Sequence, residues 1–460
     1  MRAFLSSSIG VACAAALVLP LSLPSGAVAA PNDARAGSSV PGFTESLPLV
    51  PLGSERSSGV ATEQGLPRRD VQPFSLVGVV WDDADAELHG SVQVRNRSAE
   101  TGSWSGWQSL ETHNAEHGAD PGTPERDSGT VRGSTAPLWV GASDGVQVRV
   151  RADDDAGHAP LPRGLSLELV DPGEAPEQLP VTRTDAPRGE TVADDPDVTD
   201  PDATDTDTDA ESGTETDGTD DVAATDPDDG TGVDTDDGTG VGVGDDGTVT
   251  DTGVTARPHT APRPKIISRK GWGADEKLRE KQFGYTKTVK AAFVHHSATG
   301  NNYTCKQAPS VIRGIYRYHV TSSGWRDIGY NFAIDKCGNI YEGRAGGVTK
   351  AVMGAHTLGF NTNTTGIAVL GSYSTTNPPA AVTTAVARLS AWKLGLHGIN
   401  PRGKVTLTSG GSNKYEKGRK VSMNAVSGHR DGFVTDCPGN KLYSKLGSVR
   451  VSAAKYQGRS

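Results

Sequence analysis

The sequence predicts a multidomain protein: an N-terminal all-β sandwich, a disordered acidic linker, and a C-terminal α/β domain with a mixed central sheet covered by helices. Three observations predict it. From about Phe74 to Val170, apolar residues alternate with polar ones, the period-two signature of strands with one buried face. From about Ala186 to Ala256 the composition collapses into Asp, Thr and Gly. Beyond about Pro262, short β-rich apolar runs are interspersed with helical periodicity. At 460 residues the chain exceeds one typical core. The expected segments are 1–29 as a signal peptide, 30–72 as a disordered stretch, 73–172 as the sandwich, 173–261 as the linker and 262–460 as the C-terminal domain.

The first segment reads as a targeting signal. Arg2 precedes an apolar run containing Ala14, Leu17, Val18 and Leu21, and Ala27-Val28-Ala29 supplies a small-x-small cleavage pattern. Pro20 and Pro24 interrupt the run, which falls short of the roughly 20 apolar residues a membrane span needs. No later stretch is long enough to cross a bilayer, so an exported, released protein is expected. Of four cysteines, Cys13 leaves with the signal. Cys305, Cys337 and Cys437 remain, an odd number for an oxidising compartment.

In the sandwich, Val92 and Val94, then Val146, Val148 and Val150, then Leu165, Leu167 and Leu169 mark the strands, with Gly and Asp clusters as turns. Trp81, Trp104, Trp107 and Trp139 could form a platform for sugars, but core packing is the favoured reading. The linker carries about 23 acidic residues against one base, Arg188. Self-repulsion and scarce apolar residues keep such a segment extended. Its Asp205–Asp209 alternation resembles the start of a calcium-binding EF-hand loop, yet Ala210 stands where that loop needs glycine.

The C-terminal domain reverses the charge, with about 30 bases against nine acids. A polyanionic partner is implied. The export signal argues for anionic cell-wall polymers and against nucleic acid; a merely soluble basic surface is the alternative. Ala291–His296 reads as a buried strand, Ser310–His319 as a helix, and Tyr330–Ile334 with Ile340–Glu342 as a hairpin. Gly366–Leu370 is a further strand. Val382, Val386, Leu389 and Leu396 follow Pro378-Pro379 at helical spacing. Within this frame, His295, His429 and Cys437 offer two imidazoles and a thiolate, the donor set of an open three-ligand zinc site. His295 and His296 face opposite sides of a regular strand, so at most one binds metal. The competing reading of each histidine is a hydrogen-bonded core residue.

The segment from Ile267 to about Leu446 resembles the peptidoglycan-recognition-protein and amidase-type phage-lysozyme family. The resemblance rests on Ser268-Arg269-Lys270-Gly271-Trp272-Gly273-Ala274, Val294-His295-His296-Ser297-Ala298-Thr299, Gly324-Trp325-Arg326-Asp327-Ile328-Gly329-Tyr330-Asn331-Phe332 and Tyr341-Glu342-Gly343-Arg344. It continues through Gly354-Ala355-His356-Thr357 with Gly359-Phe360-Asn361, and Gly428-His429-Arg430-Asp431 followed by Asp436-Cys437-Pro438-Gly439. It implies zinc ligands at His295, His429 and Cys437, a catalytic tyrosine at Tyr330, and a second polar catalytic position at Thr435. His356, Asn361 and Arg344 match positions lining the substrate groove. Family members that only bind peptidoglycan typically lack the cysteine ligand, so the retained Cys437 implies catalysis.

The implied activity is a secreted, zinc-dependent N-acetylmuramoyl-L-alanine amidase, extracellular or cell-wall associated, that hydrolyses the lactyl amide between MurNAc and the L-alanine of the stem peptide. A non-catalytic peptidoglycan-binding receptor is the alternative. With Cys437 taken as a ligand through this resemblance, Cys305 and Cys337 are left to form a disulfide, two free thiols being the other reading.

Overall fold

The computed structural model describes residues 41–52, 62–112, 114, 116–153, 160–174 and 259–460. The expected signal peptide and nearly all of the acidic linker, with its calcium-like Asp run, lie outside the described residues. In the N-terminal part the strands are β1 (Phe43–Pro48), β2 (Val50–Pro51), β3 (Glu63–Trp81), β4 (Gly90–Ser98), β5 (Gln108–Leu110), β6 (Gly133–Ser134), β7 (Leu138–Ala152) and β8 (Ser166–Asp171). They join in the order β1-β8-β3-β7-β4-β5, with β2 and β6 also paired to β3. Alternation sorts the side chains as the sequence predicts. Val77, Val79 and Trp81 share an interior with Val92, Val94, Val146, Val148, Val150, Leu167 and Leu169. The opposite parity, Leu76, Val80, Trp139 and Val170, forms a second apolar face that packs on the C-terminal domain.

Two expectations are corrected here. The sheet begins well before residue 73. β1 pairs antiparallel with β8 from Phe43↔Asp171 to Pro48↔Ser166, and the first half of β3 pairs with β7 from Glu63↔Arg151 onward. Arg68, Arg69 and Asp70 break the apolar alternation there, and register shifts interrupt the ladder, so tertiary pairing supplies what local pattern lacks. The tryptophans also divide. Trp81 is core, and Trp139 lies in the cluster between the domains. Trp104 and Trp107 are half-buried surface rings stacked under arginines, with Arg149 4.2 Å from Trp107 and Arg68 4.8 Å from Trp104.

The C-terminal domain comprises β9 (Ile266–Ile267), α1 (Arg269–Trp272), β10 (Ala291–His296), α2 (Ala308–Arg317), β11 (Phe332–Ile334), β12 (Ile340–Glu342), β13 (Thr364–Val369), α3 (Ala380–Gly395), β14 (Lys404–Thr408), β15 (Lys420–Asn424), β16 (Val426–Gly428), α4 (His429–Gly432), α5 (Asn440–Tyr443) and α6 (Leu446–Tyr456). Its mixed sheet runs β16-β10-β13-β11-β12-β9, with β11 and β12 forming the antiparallel hairpin. One face buries Val294, Ile334, Ile367 and Val369 beneath α3 and α6. α3 starts immediately after Pro378-Pro379, where proline's missing N–H does no harm. The other face carries α2, whose Val311, Ile312 and Ile315 meet the second apolar face of the N-terminal sheet. α2 then loosens into a π-helical turn, Tyr318–Ser322, and Tyr318 Oη donates to Thr135 O at 3.0 Å.

Cys305 and Cys337 form a disulfide with Cα atoms 6.2 Å apart, tying the loop before α2 to the β11–β12 turn. Closing a loop of 32-residue separation stabilises the fold by about 3–4 kcal/mol in the chain-entropy view. Replacing both cysteines by serine is therefore expected to lower the urea midpoint and to steepen the slope, since the unlinked unfolded chain exposes more surface, measured by equilibrium unfolding. Among the described residues, no helix is long and apolar enough to cross a membrane.

Candidate metal centre

The centre forms where β10 and β16, running parallel, reach their C-terminal ends. β10 places Ala291, Phe293 and His295 on one side, and His296 on the other, where its Nδ1 accepts from Tyr373 N at 3.3 Å. β16 ends at Gly428, and α4 begins at once with His429. Only glycine fits at that junction, because a Cβ would lie 2.7 Å from the Tyr443 ring. Asp431 fixes the turn: Gly428 N and Tyr443 Oη both donate to it, at 2.9 and 2.6 Å. The chain then returns Cys437, whose N donates to Thr435 Oγ1 at 3.1 Å. Cys437 Sγ lies 3.8 Å from His295 Nδ1, and the His295 and His429 ring centroids are 4.6 Å apart.

A fourth side chain joins them from the other domain. His117 sits in the long loop 111–132 between β5 and β6, with Nε2 3.8 Å from Cys437 Sγ and its ring 4.5 Å from that of His429. One ligand atom from each of His117, His295, His429 and Cys437 lies within 4.8 Å of all the others, and all four residues are buried. A tetrahedral zinc with ordinary bond lengths needs ligand atoms about 3.4–3.6 Å apart, and the two sulfur–nitrogen separations of 3.8 Å approach that.

The donor chemistry fits a metal as well. Both ring nitrogens of His429 are buried without a hydrogen-bond partner, a costly arrangement that a cation bound at one of them would relieve in part. Burial, reinforced by the neighbouring histidines, holds His295 and His429 well below the ordinary imidazole range, and burial takes His117 down to about 3. Neutral imidazoles are the form a metal requires. Burial likewise raises the Cys437 thiol, which a dication beside it would reverse. Two or three imidazoles with one sulfur suit zinc better than magnesium or calcium.

The remaining expected site residues converge here, though several point differently than a groove lining would. Tyr330 is buried, its ring 5.5 Å from that of His295, and burial pushes its phenol far above the usual range, so it stays protonated and keeps a hydrogen to donate. His356 stands behind His295 rather than in an open groove, with Nδ1 3.3 Å from His295 Nε2, where it orients the imidazole. Asn361 Oδ1 accepts from the backbone of His356 at 2.7 Å. Its Nδ2 donates to Gly118 O and Asp120 Oδ1, both at 2.7 Å. Thr435 Oγ1 donates to Glu116 Oε1 at 2.7 Å. Arg344 clasps Glu125 with both terminal nitrogens at 2.8 Å. Burial opposes ionisation of Glu125, but the charge and hydrogen bonds of Arg344 outweigh it and hold the carboxyl below its ordinary value.

Residues 285–440 match the family profile described as N-acetylmuramoyl-L-alanine amidase, and residues 31–181 match that described as Rv3811 N-terminal galactose-binding domain-like. The chain is 31% identical over 183 residues to peptidoglycan-recognition protein SC2 of Drosophila simulans, across 39% of this chain and 84% of that one. It belongs to the peptidoglycan-recognition-protein family. This peptidoglycan-recognition protein is also 30% identical over 192 residues to human N-acetylmuramoyl-L-alanine amidase, covering 40% of the chain and 28% of the human protein. Among solved structures, wild-type Drosophila PGRP-LB aligns at 27% identity with a TM-score of 0.32, across 40% of this chain and 93% of that one.

Sequence reasoning missed Glu116, His117, Asp120 and Glu125. The available signal was the loop itself. Residues 116–132 lack apolar periodicity and hold only a one-turn helix at Arg126–Ser128, and connections longer than about 12–15 residues with so little regular structure are usually functional.

Proposed function

We propose that this family member is a secreted zinc amidase that cleaves the lactyl amide between MurNAc and L-alanine in peptidoglycan. The observation that carries the reading is the convergence of His295, His429 and Cys437 beside Tyr330. The likeness to the human amidase supports it. Zinc held by these three side chains would supply Lewis acidity to the amide carbonyl and to an attacking water. Tyr330, protonated and rigidly packed, donates a hydrogen bond to the oxyanion as it develops. His356 holds the His295 ring in place, and Thr435 is a second donor once released from Glu116. Arg344 and Asn361 present a guanidinium and an amide to the carboxylates and carbonyls of a stem peptide. Export through the 1–29 signal and the 30-to-nine excess of bases over acids in the C-terminal domain are consistent with work at an anionic cell wall.

The test is prolonged digestion of peptidoglycan by the whole purified chain, read by mass spectrometry. Free stem peptides with an N-terminal alanine are expected, absent after chelation and restored by zinc. Wall that is bound but never cut, with zinc present, would replace the amidase with a peptidoglycan-binding receptor. One observation favours a silent site in this conformation, namely that His117 already stands at the fourth position.

A further inference from the structure

We propose that residues 116–132 of the N-terminal domain form an inhibitory plug for the C-terminal centre, with His117 as a fourth metal ligand that must leave before substrate can enter. The metal and the substrate in this proposal rest on the amidase reading above. A catalytic zinc site keeps one position open, whereas four protein ligands make a closed, structural one. His117 converts the first kind into the second. Its Nε2 is as near Cys437 Sγ as His295 Nδ1 is, 3.8 Å in each case, and its ring lies 4.5 Å from that of His429.

The rest of the loop takes up the donors that face the centre. Glu116 engages the Thr435 hydroxyl, Asp120 accepts from Gly359 N and Asn361 Nδ2 at 2.7 Å each, and Gly118 O takes the same Asn361 amide. Glu125 fills the Arg344 fork with both carboxylate oxygens. Carboxylates and backbone carbonyls are also the acceptors a stem peptide carries, so the loop occupies its own site in the chemical guise of a substrate. The far end of the loop is pinned as well. Thr130 Oγ1 donates to Gly324 O at 2.9 Å, and Arg132 N donates to Ser323 O at 3.0 Å. Gly324 has φ +73°, and a Cβ there would overlap the Thr130 carbonyl.

The Arg344–Glu125 pair explains how the plug can be both firm and displaceable. Its side chains are only 8% and 6% exposed, so lifting the loop alone strands a buried guanidinium, an expensive outcome. A ligand that brings its own carboxylate to Arg344 removes that penalty. Opening is therefore an exchange of one carboxylate for another, favoured where peptidoglycan is abundant.

The experiment loads the full-length chain and its His117→Ala variant with cobalt(II) and titrates azide while following the visible absorption. The wild-type spectrum is expected to stay unchanged at azide concentrations that shift the variant. On peptidoglycan, His117→Ala is expected to release stem peptides at least tenfold faster. Glu125→Gln, which touches no metal ligand, should give an intermediate azide response and a smaller acceleration, and it carries the test if His117→Ala does not fold. Equal azide responses and equal digestion rates in all three proteins would overturn the plug. An azide-responsive variant that binds zinc yet never cuts peptidoglycan would leave the fourth ligand standing and remove the amidase instead.

Discussion

Replacing Cys437 by serine is expected to abolish metal retention and stem-peptide release together, with turnover falling about 10³-fold or more. A change in the groups that merely orient ligands costs roughly 10–100-fold, and loss of a ligand should exceed that. Serine is neutral near pH 7 and lacks the soft sulfur that suits zinc. The domain should nonetheless fold, because the Cys437 backbone, through its bonds to Thr435 and Arg430, shapes the turn independently of the thiol. The comparison is zinc content, thermal unfolding and peptide release, made in the whole chain and in the His117→Ala background. Full zinc occupancy with undiminished turnover would remove Cys437 from the ligand set.

Tyr330→Phe is expected to separate the metal from the chemistry. Phenylalanine preserves the ring that packs 5.5 Å from His295 and 5.8 Å from His319, so zinc content and stability should hold. What disappears is one hydrogen-bond donor aimed at charge that develops only in the transition state. Such a donor contributes about 10²–10³-fold in turnover with little change in substrate binding. Steady-state rates on a soluble muropeptide at matched zinc occupancy measure it. A variant within a factor of two of the parent would leave carbonyl activation to the metal alone.

Much of the C-terminal domain was legible from local pattern. Ala291–His296 is a strand over those residues, the β11–β12 hairpin turns where Lys336–Asn339 directs it, and α3 starts after the two prolines. α2 lies about two residues earlier than its periodicity indicated, because the apolar pattern runs on into the π-turn that docks Tyr318 against the other domain. His295, His429 and Cys437 lie in motifs that the sequence carries intact, and the strand alternation separated His295 from His296. The plug was not legible for the opposite reason. His117 stands 320 positions from Cys437 along the chain, in a polar loop where a histidine looks like any solvated one. The early strands were hidden likewise, since β1 and the first half of β3 owe their form to the distant strands β8 and β7.

The apolar face of the N-terminal sheet, seated on α2 through Leu76, Val80, Trp139 and Val170, has a consequence for the loop it carries. Because the platform is fixed, the loop meets the centre intramolecularly, at an effective concentration of millimolar order or above. Each of its grips can then be individually weak. A small soluble fragment must compete against that standing concentration, whereas a polymer that offers many copies of the same peptide on one strand raises the concentration of competitor beside the single site and favours rebinding. Graded response to wall over debris would follow from tethering alone.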